Sequence, residues 1–478
     1  MAHVTAATAY DRIPYTNHPY RQAHHDQIAV AGVLHGLEPP APATARVLEI
    51  GCGAGGHLLA TAFALPGIEA LGVDLAGTAI AAATADARVA GVANVRFEVA
   101  DVRDLVDGRL GRFDYVIAHG VYAWVPPDVQ DALLAAVRAQ LAPGGLAYVS
   151  FNALPGGHLR AILRAACRFH ARDAADDGER VAKAREMLEL LQRWRSSDEP
   201  RDHYGRFLDD LVPRLLDAED ATLAHDLIEE HLRPAWYADF AAHAARHALE
   251  PVAESRLIES PMLPRTVEGR QAIADLAGGD RVAREQLVDL FGHGRFRETV
   301  LAHAGTASRA DADPVALDRL RFLAAPPPET APPGPGTELL AAAAAARPHA
   351  STLAELADAT GLDDRTLRTT LLGTMRLGLV TAWLEPPRAV AAGERPRASA
   401  LARFQAAAGR PATSLLHTVV VLDEAGAQLL GLLDGTRDLE ALRAALLEAT
   451  GLDLPAGALA ANLRALAAAG LLEGDGTA

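Results

Sequence analysis

An α/β fold built on a doubly wound parallel sheet is what the sequence predicts for residues 45–158, and two observations carry it. Short β-forming apolar runs alternate with amphipathic helical stretches from residue 46 to 151, the pattern of a sheet whose crossovers are helices. The first run, Val47-Leu-Glu-Ile50, empties into Gly51-Cys-Gly-Ala-Gly-Gly56, where the missing Cβ atoms let a ligand approach the backbone. Strands are expected at 46–50, 68–73, 94–99, 113–118 and 145–151, and helices at 55–65, 76–90 and 128–141. Ligands of such sheets sit beyond the carboxyl ends of the strands, which here hold Gly51, Asp74, Asp101, His119 and Asn152.

The spacing Gly51-x-Gly53-x-x-Gly56 also satisfies a dinucleotide fingerprint, so the glycines alone do not choose the ligand. The acids do. Glu49 precedes the first glycine by two residues, Asp74 ends the second strand, where a carboxylate suits ribose hydroxyls, and Asp101 ends the third, where it can meet an adenine amine. Three acids at three strand ends describe S-adenosyl-L-methionine better than a dinucleotide, because that donor has no pyrophosphate and carries a cationic sulfonium. The expected donor-binding set is Glu49, Gly51, Cys52, Gly53, Asp74, Leu75, Asp101, Val102 and His119.

Before the sheet, residues 1–44 hold an arm and a helix. The arm contains three tyrosines and the pair His24-His25, with prolines that forbid a regular helix, and it is expected to close over the donor site. An amphipathic helix is expected over 26–37. The fourth strand empties into His119-Gly-Val-Tyr-Ala-Trp-Val-Pro126, beside the methyl to be transferred. His119, Tyr122 and Trp124 from this loop, with Tyr15 and His24 from the arm, are the candidate catalytic residues, and no metal is expected.

Beyond the sheet, residues 159–222 read as a helical insertion and 223–323 as completion of the core plus a middle domain. That region carries a helix over 236–249, an outer strand over 250–257 and helices near 267–276, 280–292 and 295–305. A Pro-rich linker follows at 324–337. Thr352-Leu-Ala-Glu355 is a capping box within a winged-helix-like unit at 338–395, whose wing strand falls at 379–384. A second such unit spans 411–478, with a strand at 418–422 and helices at 424–433, 438–450 and 455–469. Between Ser351 and Leu384 the only cations are Arg365, Arg368 and Arg376, against four acids, so these units are read as packing or protein-binding modules. A chain ending near Leu323 is accordingly expected to keep donor binding.

The chain has 478 residues, a formal net charge of −16 and 50% apolar residues. Its acidity argues against a nucleic-acid partner. No apolar run approaches the roughly 18 residues of a spanning helix, so no membrane insertion is expected, and the first residues carry no leader pattern, which predicts a cytoplasmic location. The two cysteines, Cys52 and Cys167, are expected to be reduced.

Three stretches carry a family resemblance: Tyr10-Asp-x-x-Pro-Tyr-x-Asn-x-Pro-Tyr20, His119-Gly-Val-Tyr-Ala-Trp-Val-Pro126, and His225-Asp-x-x-Glu-Glu-x-x-x-Pro234. With them the chain resembles class I S-adenosylmethionine-dependent methyltransferases that carry a methyltransferase regulatory domain, of the rickettsial protein lysine methyltransferase type. The resemblance implies a Rossmann-like donor-binding core, a dimerising helical insert at 159–222, winged-helix-like C-terminal domains, and methylation of lysine on a protein or peptide acceptor by a homodimer. A small-molecule acceptor, or a degenerate core that only binds a partner, are the alternatives. One departure is Gly157, where an aromatic is expected; it removes bulk near the expected acceptor entrance.

Overall fold

The computed structural model describes residues 9–13, 17–194, 203–257 and 266–474. A single turn, α1 (Ala9–Arg12), precedes α2 (His25–Leu34), which is buried along its whole length. The amphipathic helix expected over 26–37 is therefore covered all round. Ile28, Ala29 and Ala31 pack on the sheet core, whereas Val30, Val33 and Leu34 pack into a separate core formed with the first C-terminal unit.

The sheet consists of β1 (Arg46–Ile50), β2 (Glu69–Asp74), β3 (Val95–Val99), β4 (Phe113–Ala118), β5 (Leu141–Asn152), β6 (Leu249–Glu254) and β7 (Phe296–His303). Their order is β3-β2-β1-β4-β5-β7-β6. Strands β1 to β5 pair in parallel, and helices α3 (Gly56–Ala64), α4 (Gly77–Val89) and α5 (Pro127–Gln140) supply crossovers. The central strands carry Val47, Leu48, Val116 and Ile117 fully buried, as strands covered on both faces require.

One expectation fails here. The stretch read as a helix over 295–305 is β7, antiparallel to β5 and β6, so the sheet is mixed. Tertiary pairing on both edges overrides local preference. Arg297 and Glu298, buried at 5% and 8% exposure, disguise the strand by breaking its apolar run. Arg297 donates to Asp289 at 3.0 and 3.1 Å and to the Glu285 carboxylate at 2.8 Å, and its guanidinium lies over the Tyr237 ring.

The insert contains α6 (Gly157–His170), α7 (Asp177–Trp194), α8 (His203–Leu216) and α9 (Asp220–Leu223), continued by a π turn over Ala224–Ile228. Leu163, Cys167, Leu188, Leu208 and Leu227 give it a core of its own. Next come α10 (Tyr237–Arg246), α11 (Val267–Ala277) and α12 (Arg281–Gly292).

The first C-terminal unit is β8 (Arg321–Ala324), α13 (Pro335–Ala345), β9 (Ser351–Thr352), α14 (Leu353–Thr360), α15 (Asp364–Arg376) and β10 (Val380–Trp383). Its sheet order is β10-β8-β9. The middle strand thus precedes the Pro-rich stretch, which is a loop inside this unit and not a tether between units. The capping box forms at Thr352, with reciprocal hydrogen bonds to Glu355 of 3.0 and 2.7 Å. The second unit comprises β11 (Arg397–Ala398), α16 (Ala400–Ala407), β12 (Ala412–Thr413), β13 (Val419–Val420), α17 (Glu424–Leu432), α18 (Leu439–Thr450), α19 (Ala456–Ala468) and β14 (Leu472–Glu473). Among the described residues, no helix is long and apolar enough to cross a membrane.

Candidate active site

The turn between β1 and α3 sets the geometry. Gly51, Gly53 and Gly55 take φ of 77°, 52° and 75°, left-handed values that favour glycine. A Cβ on Gly51 would lie 2.5 Å from the Val121 side chain, so this glycine lets the turn approach the loop after β4. Gly51→Ala is expected to cost about 1–2 kcal/mol through its backbone alone and to displace Val121; thermal unfolding together with donor affinity checks both effects.

Around this turn lies a cleft of about 690 Å³ beyond the carboxyl ends of the strands. It is lined by Glu49, Gly51, Cys52, Gly53, Asp74, Leu75, Asp101, Val102, His119 and Trp124, ten of the residues expected from sequence. Burial beside Asp74 pushes the Glu49 carboxyl well above its ordinary pKa, and its Oε2 is buried without a hydrogen-bond partner. An acid so placed is completed by a cation. Asp74 accepts from Gly53 N at 2.8 Å and Ala76 N at 2.9 Å. The carboxylate therefore braces the glycine turn while facing the cleft, and burial raises its pKa. Asp101 accepts from Arg103 N at 2.9 Å and is gripped by the Arg103 guanidinium.

His119 accepts from or donates to Tyr148 Oη at 3.0 Å and Ser150 Oγ at 3.2 Å through Nδ1. Burial lowers its pKa to about 4, so the ring is neutral at physiological pH. The arm crosses directly above. Asn17 bridges Ala54 O at 2.8 Å and Gly56 N, Tyr20 N donates to His57 Nδ1 at 3.2 Å, and the Tyr20 ring lies 4.1 Å from that of His119.

Two candidates lie elsewhere. Tyr122 turns inward onto Phe151 and Phe240 and shares a 2.8 Å hydrogen bond with His243, because the short helical turn over 122–124 directs it into the core. His24 is buried between His25, Trp383 and His417, and does not line the cleft. Tyr15 lies outside the described residues. Gly157 is not an opening: a Cβ there would meet Pro234 at 2.7 Å, so the missing side chain is a packing requirement.

The far wall was not among the expected donor-binding or catalytic residues, although Asn152 was marked as a strand end. Asn152 from the end of β5, Arg160 from α6, Asp226 and Glu229 around the π turn, and Phe296 opening β7 complete the cleft. Asn152 Oδ1 is buried without a partner. Arg160 pairs with Asp226 at 3.2 Å. Two sequence signals touch this wall: Asn152 as a strand end, and the His225-Asp-x-x-Glu motif, which marks its segment without revealing what it faces.

The comparisons with known proteins agree with this geometry. Residues 47–145 match the methyltransferase domain family, 219–303 a predicted methyltransferase regulatory domain, and 394–452 the C-terminal winged helix domain of PKMT. The uncharacterized protein RP028 of Rickettsia prowazekii is 31% identical over 230 residues, which cover 48% of this chain and 91% of that protein. The uncharacterized protein RP789 of the same organism is 31% identical over 297 residues, 62% of this chain and 52% of that one, so the chain spans about half the length of this relative. The solved structure of PKMT2 from Rickettsia typhi in complex with AdoHcy superposes with a TM-score of 0.85 at 23% identity, covering 96% of this chain and 100% of that one. The chain belongs to the class I S-adenosylmethionine-dependent methyltransferases that carry a regulatory domain and a C-terminal winged helix.

Proposed function

We propose that this protein transfers a methyl group from S-adenosylmethionine to the side-chain nitrogen of a lysine in a protein acceptor. The observation that carries the reading is the unpartnered Asn152 Oδ1, held in the same cleft as the neutral His119 ring and the donor-side acids. These groups suit a neutral amine. When bound, the donor supplies an electrophilic methyl on its sulfonium. Glu49 takes the donor's ammonium, Asp74 its ribose hydroxyls and Asp101 its adenine amine.

A lysine side chain arrives as an ammonium of pKa near 10.4. Its proton must pass to solvent water before the nitrogen can attack, and a low-dielectric cleft next to a sulfonium disfavours the charged form. His119, with a pKa of about 4, is too weak a base to pull that proton away by itself. Its role is to hold one wall of the cleft with Tyr20, while Asn152 Oδ1 accepts a hydrogen bond from the amine and aims its lone pair. Catalysis then rests on alignment and exclusion of water. Asp226 and Glu229, at the outer wall, suit a cationic side chain on its way in.

The test is incubation with methyl-labelled donor and a protein extract, followed by residue-level mass spectrometry. Label on lysine Nζ is expected, and Asn152→Ala is expected to lower kcat at least about tenfold, the scale of one lost hydrogen bond of roughly 1.4 kcal/mol, with donor affinity unchanged. Label confined to small molecules or to oxygen atoms contradicts the lysine reading.

A further inference from the structure

On the opposite side of the His119–Pro126 loop from the cleft, α5 and α10 bring together three potential metal ligands that belong to no part of the donor site. His243 lies in the last turn of α10 and His247 caps its C-terminus four residues on, on the same side of the helix, and both point their Nε2 atoms at Asp131 Oδ1 on α5, at 3.1 and 2.9 Å. The ligating atoms of all three lie within 4.8 Å of one another. Tetrahedral zinc with bonds near 2.0–2.1 Å places its ligands roughly 3.3 Å apart, so little movement separates this hydrogen-bonded triad from a coordination sphere.

The surroundings are arranged as a metal site's are. His243 is buried at 8% exposure, and its other ring nitrogen shares a 2.8 Å hydrogen bond with Tyr122 Oη. A hydrogen bond of this kind on the far ring nitrogen fixes ring orientation and leaves Nε2 free to ligate. The Asp131 side chain is 56% exposed, which leaves room for water as a fourth ligand.

The geometry points to a divalent transition-metal site of the zinc class, held by His243 Nε2, His247 Nε2 and an Asp131 carboxylate oxygen. Two imidazoles with one carboxylate suit zinc better than calcium or magnesium, which take oxygen ligands. The metal pins α5, whose first turn lines the cleft at Asp128 and Val129, to α10, the helix that follows the cleft's outer wall. Through Tyr122 it also braces the loop that carries His119 and Trp124. Its role is that of a structural clip between the donor-binding core and the regulatory domain.

Tag-free full-length protein, stripped with a chelator and dialysed, is titrated with Zn2+ in a calorimeter and with Co2+ while visible absorption is followed. One equivalent per chain is expected, with the absorption of a low-coordinate nitrogen and oxygen site, and melting temperature rises with added Zn2+. Asp131→Asn and His247→Ala are each expected to weaken binding at least about tenfold, since even the loss of a hydrogen bond to a ligand acts on a roughly 10–100-fold scale, while far-ultraviolet circular dichroism stays unchanged. Should His247→Ala unfold, the exposed Asp131→Asn carries the test alone. No uptake by the wild type, or the same affinity and stoichiometry in the folded variants, overturns the proposal.

Discussion

Ending the chain after Leu323 is expected to cost the fold itself, not only acceptor recognition. The Pro-rich stretch invites the opposite expectation, of a C-terminal half that can be cut away with donor binding intact. Packing decides against it. Val30, Val33 and Leu34 of α2 are buried against Phe322, Leu339, Leu371 and Val380 in one shared core. Each such side chain is worth about 1.5–3 kcal/mol when fully buried, so uncovering three removes an amount comparable to the roughly 5–15 kcal/mol by which proteins of ordinary size are stable. Polar ties go too: Asp26 accepts from Leu384 N at 3.1 Å and Glu385 N at 2.7 Å, and Gln27 donates to Ala382 O at 2.9 Å. The second unit reaches the donor site as well, with His417 Nε2 2.8 Å from Nδ1 of the cleft-lining His57. The shortened chain is expected to be insoluble or to unfold without a cooperative transition. A monodisperse product with near-native melting temperature and donor affinity would show that α2 does not need its second partner.

Arg297→Ala is expected to destabilise by about 3–5 kcal/mol, the cost of removing one partner from a buried ion cluster. Among the described residues, the guanidinium is the one cation paired with the buried carboxylate of Asp289 and the half-buried one of Glu254, and it also holds Glu285. Their charges are left in the interior without it. Burial already raises the Glu254 pKa to about 7, with Arg297 pulling it down. Loss of the arginine moves it further up. A carboxyl whose folded pKa exceeds its unfolded value of about 4.3 binds more protons when folded, so stability rises as pH falls from the folded toward the unfolded value. The deficit of the variant is therefore expected to shrink between neutral pH and about pH 5, where the acids can be protonated. Chemical denaturation across that range checks it; a loss below about 1 kcal/mol at neutral pH would mean the cluster is solvated.

The wall of the cleft at the strand ends was legible because its determinants are local. Glu49, Asp74 and Asp101 each end a β-forming run, and the end of a parallel strand is where a ligand sits whatever the rest of the chain does. Gly51 and Gly53 were legible for the same reason. The far wall was not, apart from Asn152 at its strand end, because Arg160, Asp226, Glu229 and Phe296 are brought together only by tertiary packing. Strand β7 was misread because its buried Arg297 and Glu298 imitate a solvent-facing helix, and only the partners of those charges reveal the strand. Tyr122 and His24 are the right residue types in the right segments, yet side-chain direction excludes them from the cleft. A direction of this kind is set by the core behind a loop, not by the loop's own sequence.

The proposed function requires the cleft to bind the methyl donor with Glu49 accepting a hydrogen bond from its ammonium. Calorimetric titration of S-adenosylhomocysteine into the full chain, near neutral pH and in two buffers of different ionisation enthalpy, tests it most directly. In the empty cleft burial and Asp74 push the Glu49 carboxyl up, whereas a bound ammonium favours the carboxylate and pulls its pKa down. Binding should therefore release a proton, and the heat should depend on the buffer. Expected are one molecule bound per chain, buffer-dependent heat, and in Glu49→Gln both a loss of that dependence and an affinity lower by about 1.5–3 kcal/mol, the worth of a hydrogen bond to a charged group. Absence of binding, or binding whose affinity and proton balance do not change in Glu49→Gln, would contradict it.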